Sequence, residues 1–377
     1  MSSITNFFRK SVFLTVSAVL IMVPQISSAS PENRISHEGN ELTSVSEIRQ
    51  YLKSNNHVNI LLYDESGKII NEFHSDGNEI QYHYNSDGDM IESTDSFNGK
   101  QVYERDESKK LRSIKTYNNN KLTVEKKLDG IGVDSEFVTP FDTNSLISPL
   151  STTVYEDTII NGVDMNQLIS DAQFINTSTM SSTSIQAFLT SKNSILKDTV
   201  LIYYLDSSGK PYFKGDTINA ASSIASSAQT YGVNPKVILA TLQKESSLVS
   251  ATPGSVSYSS RRFYYAMGYG ATDGGDDYTK GGFNQQISGG ASTLKNRYNQ
   301  APASGYPKVF TNINFGNNVT SNGVTYKNYV WVKNKATYSL YVYTPHTIDT
   351  SLLPTIGGGN YLFVNIAKGW WGTTLWN

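Results

Sequence analysis

The chain has 377 residues, a formal charge of −2, five histidines and no cysteine. That length suits two or three domains, and the lack of thiols excludes disulfide scaffolds, iron–sulfur clusters, zinc ribbons and cysteine nucleophiles. His37, His57, His74, His83 and His346 are scattered, so no metal or other cofactor is expected and acid/base chemistry falls mainly to carboxylates.

Residues 1–29 read as a secretory signal peptide. Arg9 and Lys10 precede an apolar run from Val12 to Val23, and Ser27-Ser28-Ala29 supplies small residues for cleavage. The run is shorter than the roughly 20 residues that a membrane span needs. The expected product is therefore secreted and cell-wall associated, with no stable membrane anchor after cleavage. Charge then divides the chain: residues 30–200 hold 26 acidic and 15 basic side chains, residues 201–377 only 7 acidic and 14 basic. A basic half outside a cell suits anionic wall polymers through screened attraction, or simply keeps a surface soluble. The basic residues are dispersed and form no recognition motif, so nucleic acid is not an expected partner. The protein is taken as a monomer.

Residues 30–58 form a polar segment with a short helix expected over Val45–Leu52, capped by Thr43 or Ser44. Residues 59–130 carry a repeat of β-rich runs closed by polar turns: Leu62-Tyr63-Asp64-Glu65-Ser66-Gly67, His83-Tyr84-Asn85-Ser86-Asp87-Gly88 and Val102-Tyr103-Glu104-Arg105-Asp106. Asp76-Gly77, Asp87-Gly88 and Asn98-Gly99 give hairpin punctuation. The run resembles the tyrosine–aspartate (YD) repeats of Rhs-type secreted proteins, which implies a small antiparallel β module that binds, spaces or is purely structural.

Residues 131–160, with Pro140 and Pro149, read as a linker, and residues 161–215 as a helical segment. In the latter, Met180 to Leu189 starts on a capping run and carries an apolar stripe at Ile185, Phe188 and Leu189. The core domain is placed at residues 216–377. There Ile218, Ala221, Ile224, Ala225 and Ala228 recur at helical spacing up to Gly232, and Asn234-Pro235 caps and starts a second helix. On that helix Ile238, Leu242, Glu245 and Val249 share one face. Desolvation there and a position in the last helical turn would both raise the carboxyl pKa, as a proton donor requires. Glu245 is also the only glutamate after Glu156. The alternative is a glutamate tilted to the helix edge or paired with Arg261 or Arg262.

The run Asn234 to Leu248, an apolar helix ending in Glu245-Ser246, resembles the catalytic-glutamate helix of lysozyme-like lytic transglycosylases, the goose-type lysozyme superfamily. Ala266-Met267-Gly268-Tyr269-Gly270 lies where that family lines its sugar cleft, and Ile287 to Lys295 resembles the helix that follows. Leu340-Tyr341-Val342-Tyr343 resembles the segment whose tyrosine bonds the catalytic glutamate, although Val342 replaces the family's asparagine. Residues 163–377 also resemble secreted bacterial proteins often labelled hemagglutinin-like. The resemblance implies a multidomain chain, with the N-terminal antiparallel β module followed by a mainly α (α+β) lysozyme-like domain that cleaves peptidoglycan glycan strands. Glu245 would be the general acid and Tyr341 would orient it, with Ser246, Met267, Gly268, Tyr269, Gly270 and Tyr343 around the substrate. By alignment Tyr341 is preferred to Tyr343.

Reaction type turns on a second carboxylate. Asp273, Asp276 and Asp277 sit in a glycine-rich stretch; Asp273 is the first choice for a base that activates water, and a solvated or calcium-binding turn is the alternative. Without such a base, one acid suffices for lytic transglycosylation. Tyr264, Tyr265, Tyr269, Trp331, Tyr338, Tyr361, Trp370 and Trp371 are candidate sugar-stacking rings, and a hairpin is expected from Ser321-Asn322-Gly323 to Lys333. Two further functions stay open: a non-catalytic wall- or glycan-binding adhesin on the same scaffold, and a delivered toxin.

Overall fold

A computed structural model describes residues 42–107, 111–127, 159–160, 162–272, 275–301, 308–309, 319–321, 324–326, 330–347 and 358–375. The signal peptide, nearly all of the proposed linker, and Asp273 lie outside the described residues. Helix α1 (Val45–Ser54) opens the fold, with Ser44 as its cap accepting from the Glu47 amide. Seven strands follow: β1 (Val58–Tyr63), β2 (Ile69–Phe73), β3 (Glu79–Tyr84), β4 (Met90–Asp95), β5 (Gly99–Arg105), β6 (Leu111–Asn118) and β7 (Lys121–Lys127). Their turns share one chemistry. Gly67, Gly77 and Gly88 have φ of 82°, 88° and 86°, a region that costs other residues a Cβ clash. Asp64, Asn85 and Asp95 each accept backbone amides across their own turn, at 2.8–3.1 Å.

Beyond the two-residue pair β8 (Ile159–Ile160) and β9 (Val163–Asp164) come α2 (Asp171–Phe174) and α3 (Ser182–Ser191), and then the hairpin β10 (Thr199–Leu205) and β11 (Pro211–Ile218). This hairpin corrects the expectation of a helical segment over 161–215. It also changes the sheet: β10 pairs in parallel with β1, Val58 opposite Thr199 through Tyr63 opposite Tyr204. One nine-stranded mixed sheet results, in the order β11-β10-β1-β2-β3-β4-β5-β6-β7. The repeat hairpins thus continue a sheet that the C-terminal half begins, instead of forming a separate antiparallel module. Helices and sheet together make an α+β chain.

Helix α4 (Ala220–Tyr231) ends on Gly232 at φ 66°, and α5 (Pro235–Ser246) starts from the Asn234 cap, as the sequence indicates. Then come α6 (Arg261–Tyr264), a short pair β12 (Ala271–Thr272) and β13 (Gly275–Asp276), and α7 (Phe283–Gln300). Strands β14 (Lys308–Val309), β15 (Val319–Ser321), β16 (Val324–Tyr326) and β17 (Trp331–Val332) precede α8 (Lys335–Tyr343) and α9 (Gly359–Trp371). The hairpin expected from Ser321 to Lys333 is the shorter pair β15 with β16, and Trp331-Val332 pairs with β14 instead; Asn322-Gly323 lies outside the described residues. Among the described residues no helix is long and apolar enough to cross a membrane.

Alternation along the strands gives the sheet two apolar faces. Ile60, Leu62, Phe73, Leu201 and Tyr203 pack with Ile48 and Leu52 of α1 on one face. Leu61, Val200 and Ile218 join the larger core of α3, α4, α5, α7, α8 and α9 on the other. This second face holds a buried carboxylate, Glu72 on β2. Its Oε1 accepts from Tyr82 Oη (2.7 Å), Ser257 Oγ (2.6 Å) and the Ser259 amide (3.0 Å), and Oε2 meets His74 Nε2 (3.2 Å) and the Tyr258 amide (3.3 Å). The segment before α6 is thereby fastened to the sheet.

Burial opposes ionisation of Glu72, but the bond and charge of His74, with bonds from Ser257 and Tyr82, outweigh it and hold the carboxyl below its ordinary 4.5. A lowered native value means that the stabilisation is complete above the unfolded value and is lost as pH falls through the native one. Glu72→Gln should lower stability at neutral pH by about 2 kcal/mol. Thermal melts across an acid series should then show the parent losing more Tm below pH 4.5 than the variant; parallel curves would refute the assignment.

Candidate functional site

Glu245 stands in the last turn of α5, whose residues Val237 to Leu242 are all buried. Its own side chain is 21% exposed, on a face with fully buried Ile238 and Leu242; the helix ends at Ser246 and Ser247 turns left-handed at φ 55°, so Val249, expected on that face, is buried beyond the helix instead. The sequence expectation of a carboxylate among core positions therefore holds, but its surroundings are not purely apolar. Lys244 Nζ, 4% exposed, lies 2.9 Å from Oε1, and Thr344 Oγ1 donates to the same oxygen at 2.8 Å. Lys244 also donates to Thr344 Oγ1. Two groups, bonded to each other, are thus locked around Oε1, while among the described residues no donor meets Oε2.

Arg261 and Arg262, the alternative partners of Glu245, are engaged elsewhere. Arg261 makes a two-pronged bond to Asp276, at 2.8 and 2.7 Å. Arg262 donates from Nε and Nη2 to the Ser246 carbonyl at 3.0 and 2.7 Å, which satisfies an end-of-helix acceptor of α5. Ser246 is fully buried and its hydroxyl donates to the Leu242 carbonyl at 2.8 Å. It finishes the helix and has no exposed surface.

Opposite Oε2 runs Met267-Gly268-Tyr269-Gly270. A Cβ placed on Gly268 would stand 3.6 Å from Oε2, and φ at Gly268 and Gly270 is 71° and 79°. The segment is pinned by Gln286 of α7, a residue with no exposed surface. Its Oε1 accepts from the Met267 and Tyr269 amides at 3.2 and 3.0 Å, and its Nε2 donates to the Tyr269 and Lys280 carbonyls at 2.7 and 2.6 Å. Met267 is buried, and Gly289-Gly290 on α7 exist to receive it: a Cβ at Gly290 would come within 2.7 Å of Met267 Cε, and one at Gly289 within 2.2 Å of the Tyr269 ring. The expected sugar-holding backbone is therefore largely satisfied inside the protein. It forms a rigid wall beside Glu245, with Gly268 as the point of closest approach.

The two tyrosines lie the other way round from the expectation. Residues 335–343 are a helix, not a strand, so Tyr341 turns into the core; its fully buried hydroxyl donates to the Met165 carbonyl at 2.9 Å. Tyr343 lies near Glu245: burial and then the Glu245 charge push its phenol well above the usual range. Its hydroxyl donates to the Met267 carbonyl at 2.6 Å, and Lys244 sits 5.9 Å from its ring centre. Thr344, the C-cap of α8, is the side chain that touches the carboxylate. Sequence reading missed Thr344, Lys244 and Gln286. A helical reading of 335–343 would have exposed the first.

The carboxylate loop offers no base among the described residues. Asp276 is held by Arg261. Asp277 caps the 3-10 turn Tyr278–Lys280 and pairs with Lys280 at 3.1 Å, and hydrogen bonds from Thr279 and Lys280 keep its carboxyl low. Asp273 lies outside the described residues. The aromatic candidates divide as well: Tyr264 is 40% exposed and Tyr265 buried, whereas Trp370 and Trp371 pack edge-on to each other and against Phe188.

Residues 167–341 match the family model described as LasA, N-terminal domain. The matched stretch runs from just before α2 to Tyr341, so it contains β10–β11, Glu245, Gly268 and Gln286 and leaves out β1–β7. A comparison with curated proteins gave no match.

Gln286→Leu keeps the bulk but strips the Met267 and Tyr269 amides of their acceptor. It should cost about 1–3 kcal/mol, read as a lower denaturation midpoint, with amide exchange at Met267 and Tyr269 accelerated more than in α4. Unchanged exchange at those amides would show that Gln286 does not hold the wall.

Proposed function

We propose that the protein is a secreted enzyme of the bacterial cell wall that cleaves the glycan strand of peptidoglycan with Glu245 as general acid, on a lysozyme-like arrangement of α4 to α8. The similarity of residues 167–341 to the N-terminal domain of LasA, a family related to staphylolytic peptidases, supports action on a cell wall. The observation that carries the glycosidic reading is the unequal setting of the two Glu245 oxygens. Oε1 is anchored by Lys244 and Thr344; Oε2 is left towards the Gly268 wall, where a proton can pass to a glycosidic oxygen.

Glu245 protonates the leaving oxygen from Oε2 as the C–O bond breaks. The sugar's own primary hydroxyl then closes on the anomeric carbon and returns its proton to Oε2, leaving an anhydro-muramyl end. This route needs one carboxylic acid. It suits a site whose neighbouring Asp276 and Asp277 are tied to Arg261 and Lys280; Asp273 as a base would give hydrolysis instead. Lys244 and Thr344 hold the acid in place, and Tyr343 sets the wall through the Met267 carbonyl.

Insoluble peptidoglycan incubated with the protein should release fragments with anhydro-muramyl ends by mass spectrometry. Glu245→Gln should lower that release by about a thousandfold while still pelleting with the wall. Reducing ends would bring Asp273 into the mechanism. Fragments cut only at peptide bonds would replace the reading with a peptidase closer to the LasA name. No release, with parent and variant both pelleting, would leave an adhesin.

A further inference from the structure

Three tyrosines stand in register across the edge of the sheet. Tyr63 of β1 pairs with Tyr204 of β10, and Tyr204 with Tyr212 of the edge strand β11. Their ring centres are 5.7 and 6.1 Å apart. All three are half-buried, and they point to the sheet face that carries the helices, because Val200 and Ile202, four and two residues before Tyr204, belong to that core. A recess of about 220 Å³ opens beside the outer two rings, lined by Tyr204, Tyr212, Leu205, Lys214 and the turn Asp64 to Gly67.

The rim is polar on every side. Tyr204 Oη donates to Asp216 Oδ2 at 2.9 Å, Glu65 is exposed, and Lys214 Nζ rests 4.0 Å from the centre of the Tyr204 ring and 5.5 Å from that of Tyr212. Lys214 is exposed on a flexible stem, so it can leave the ring face to a ligand and remain beside it as a donor. Flat apolar faces side by side, spaced close to the advance of a β-linked sugar chain and bordered by hydroxyl, carboxylate and ammonium groups, fit pyranose rings. They fit neither a purely apolar chain, because of the rim, nor a polyanion, because Asp64, Glu65 and Asp216 surround the one lysine.

The row also connects to Glu245. Tyr264 of α6, 40% exposed, neighbours Tyr63 closely enough to contribute to the upward push on its phenol, after burial, Glu72 and Tyr204. Its ring lies flush on Gly281, where a Cβ would meet it at 1.7 Å. Gly268, which faces Glu245 Oε2, is four residues further along the chain, so their Cα atoms are at most about 14 Å apart.

We propose that Tyr204 and Tyr212, continued by Tyr63 and Tyr264, form a glycan-binding platform that receives a β-linked N-acetylhexosamine chain at a distance from Glu245. The choice of ligand rests on the glycan reading of the Glu245 site, and the test runs without turnover. In the Glu245→Gln background, co-sedimentation with insoluble chitin and with insoluble peptidoglycan is compared for Tyr204→Ala/Tyr212→Ala and for the double Phe variant. The Ala pair should weaken binding to both polymers by roughly tenfold, and the Phe pair should bind as the parent does, since stacking needs the ring and not the hydroxyl. Loss on peptidoglycan alone would make the ligand the muramyl-containing strand. If the Ala pair lowers Tm, Tyr212→Ala alone, on the edge strand, decides.

Folded Ala variants that pellet like the parent, or a parent that pellets with neither polymer, would overturn the platform. Its failure is separable from that of the enzyme. A chain that binds through these rings and releases no fragment keeps the platform and loses the catalytic reading; one that releases fragments with unchanged binding in the Ala pair does the reverse.

Discussion

The segment that leads from the end of α5 into α6 is tied to the sheet by a buried carboxylate. Glu72 on β2 holds Ser257, Tyr258 and Ser259 by side-chain and amide bonds. The next residue, Ser260, caps α6, and Arg262 of α6 closes the carbonyl of Ser246 at the end of α5. Glu245 is the residue before it. A carboxylate with no exposed surface is tolerable only with its acceptor sites met, and here the donors that meet it come from both the sheet and the segment leading to the site. The neighbouring Asn59 repeats the arrangement, donating to Tyr258 Oη at 2.8 Å and accepting from the Ser75 amide at 2.8 Å. The repeat hairpins are therefore part of the framework that sets α5 and Glu245.

What the sequence made legible was local. The pair α4 and α5 announces itself through Gly232 and Asn234-Pro235, each of which works within four residues of itself. The hairpins announce themselves through Asp or Asn followed by a glycine at positive φ. The β10–β11 hairpin was missed although Asp206-Ser207-Ser208-Gly209-Lys210 repeats the turn Asp64-Glu65-Ser66-Gly67-Lys68, down to the acceptor role of the first side chain. It was hidden by the helical stretches on either side. The parallel pairing of β1 with β10 joins residues more than a hundred positions apart, and nothing short-range encodes that.

The exchange of Tyr341 for Tyr343 has a different origin. Leu340-Tyr341-Val342-Tyr343 is a short apolar run, which periodicity alone cannot assign to strand or helix. In the helix that forms, Ala336, Thr337, Leu340 and Tyr341 face the core, and the end of the helix reaches the carboxylate. The acidic partner was legible because it interrupts a helical stripe. Lys244 and Thr344 were not, since neither breaks any pattern in its own segment and their meeting depends on where α8 ends.

That meeting separates the two oxygens of one carboxylate. A glutamate with both oxygens in water has no preferred direction for its proton, whereas one whose Oε1 is held by an ammonium and a hydroxyl presents Oε2 in a fixed place. The wall opposite must then be free of side chain, and Gly268 is; it must also be stiff, and Gln286 and Tyr343 make it so from two different helices. Met267 needs Gly290 and Tyr269 needs Gly289 for the same reason. The glycines of this region are thus consequences of a single demand, that backbone and not side chain approach the acid, and the unusual Gly-Gly step in the middle of α7 follows from it two layers away.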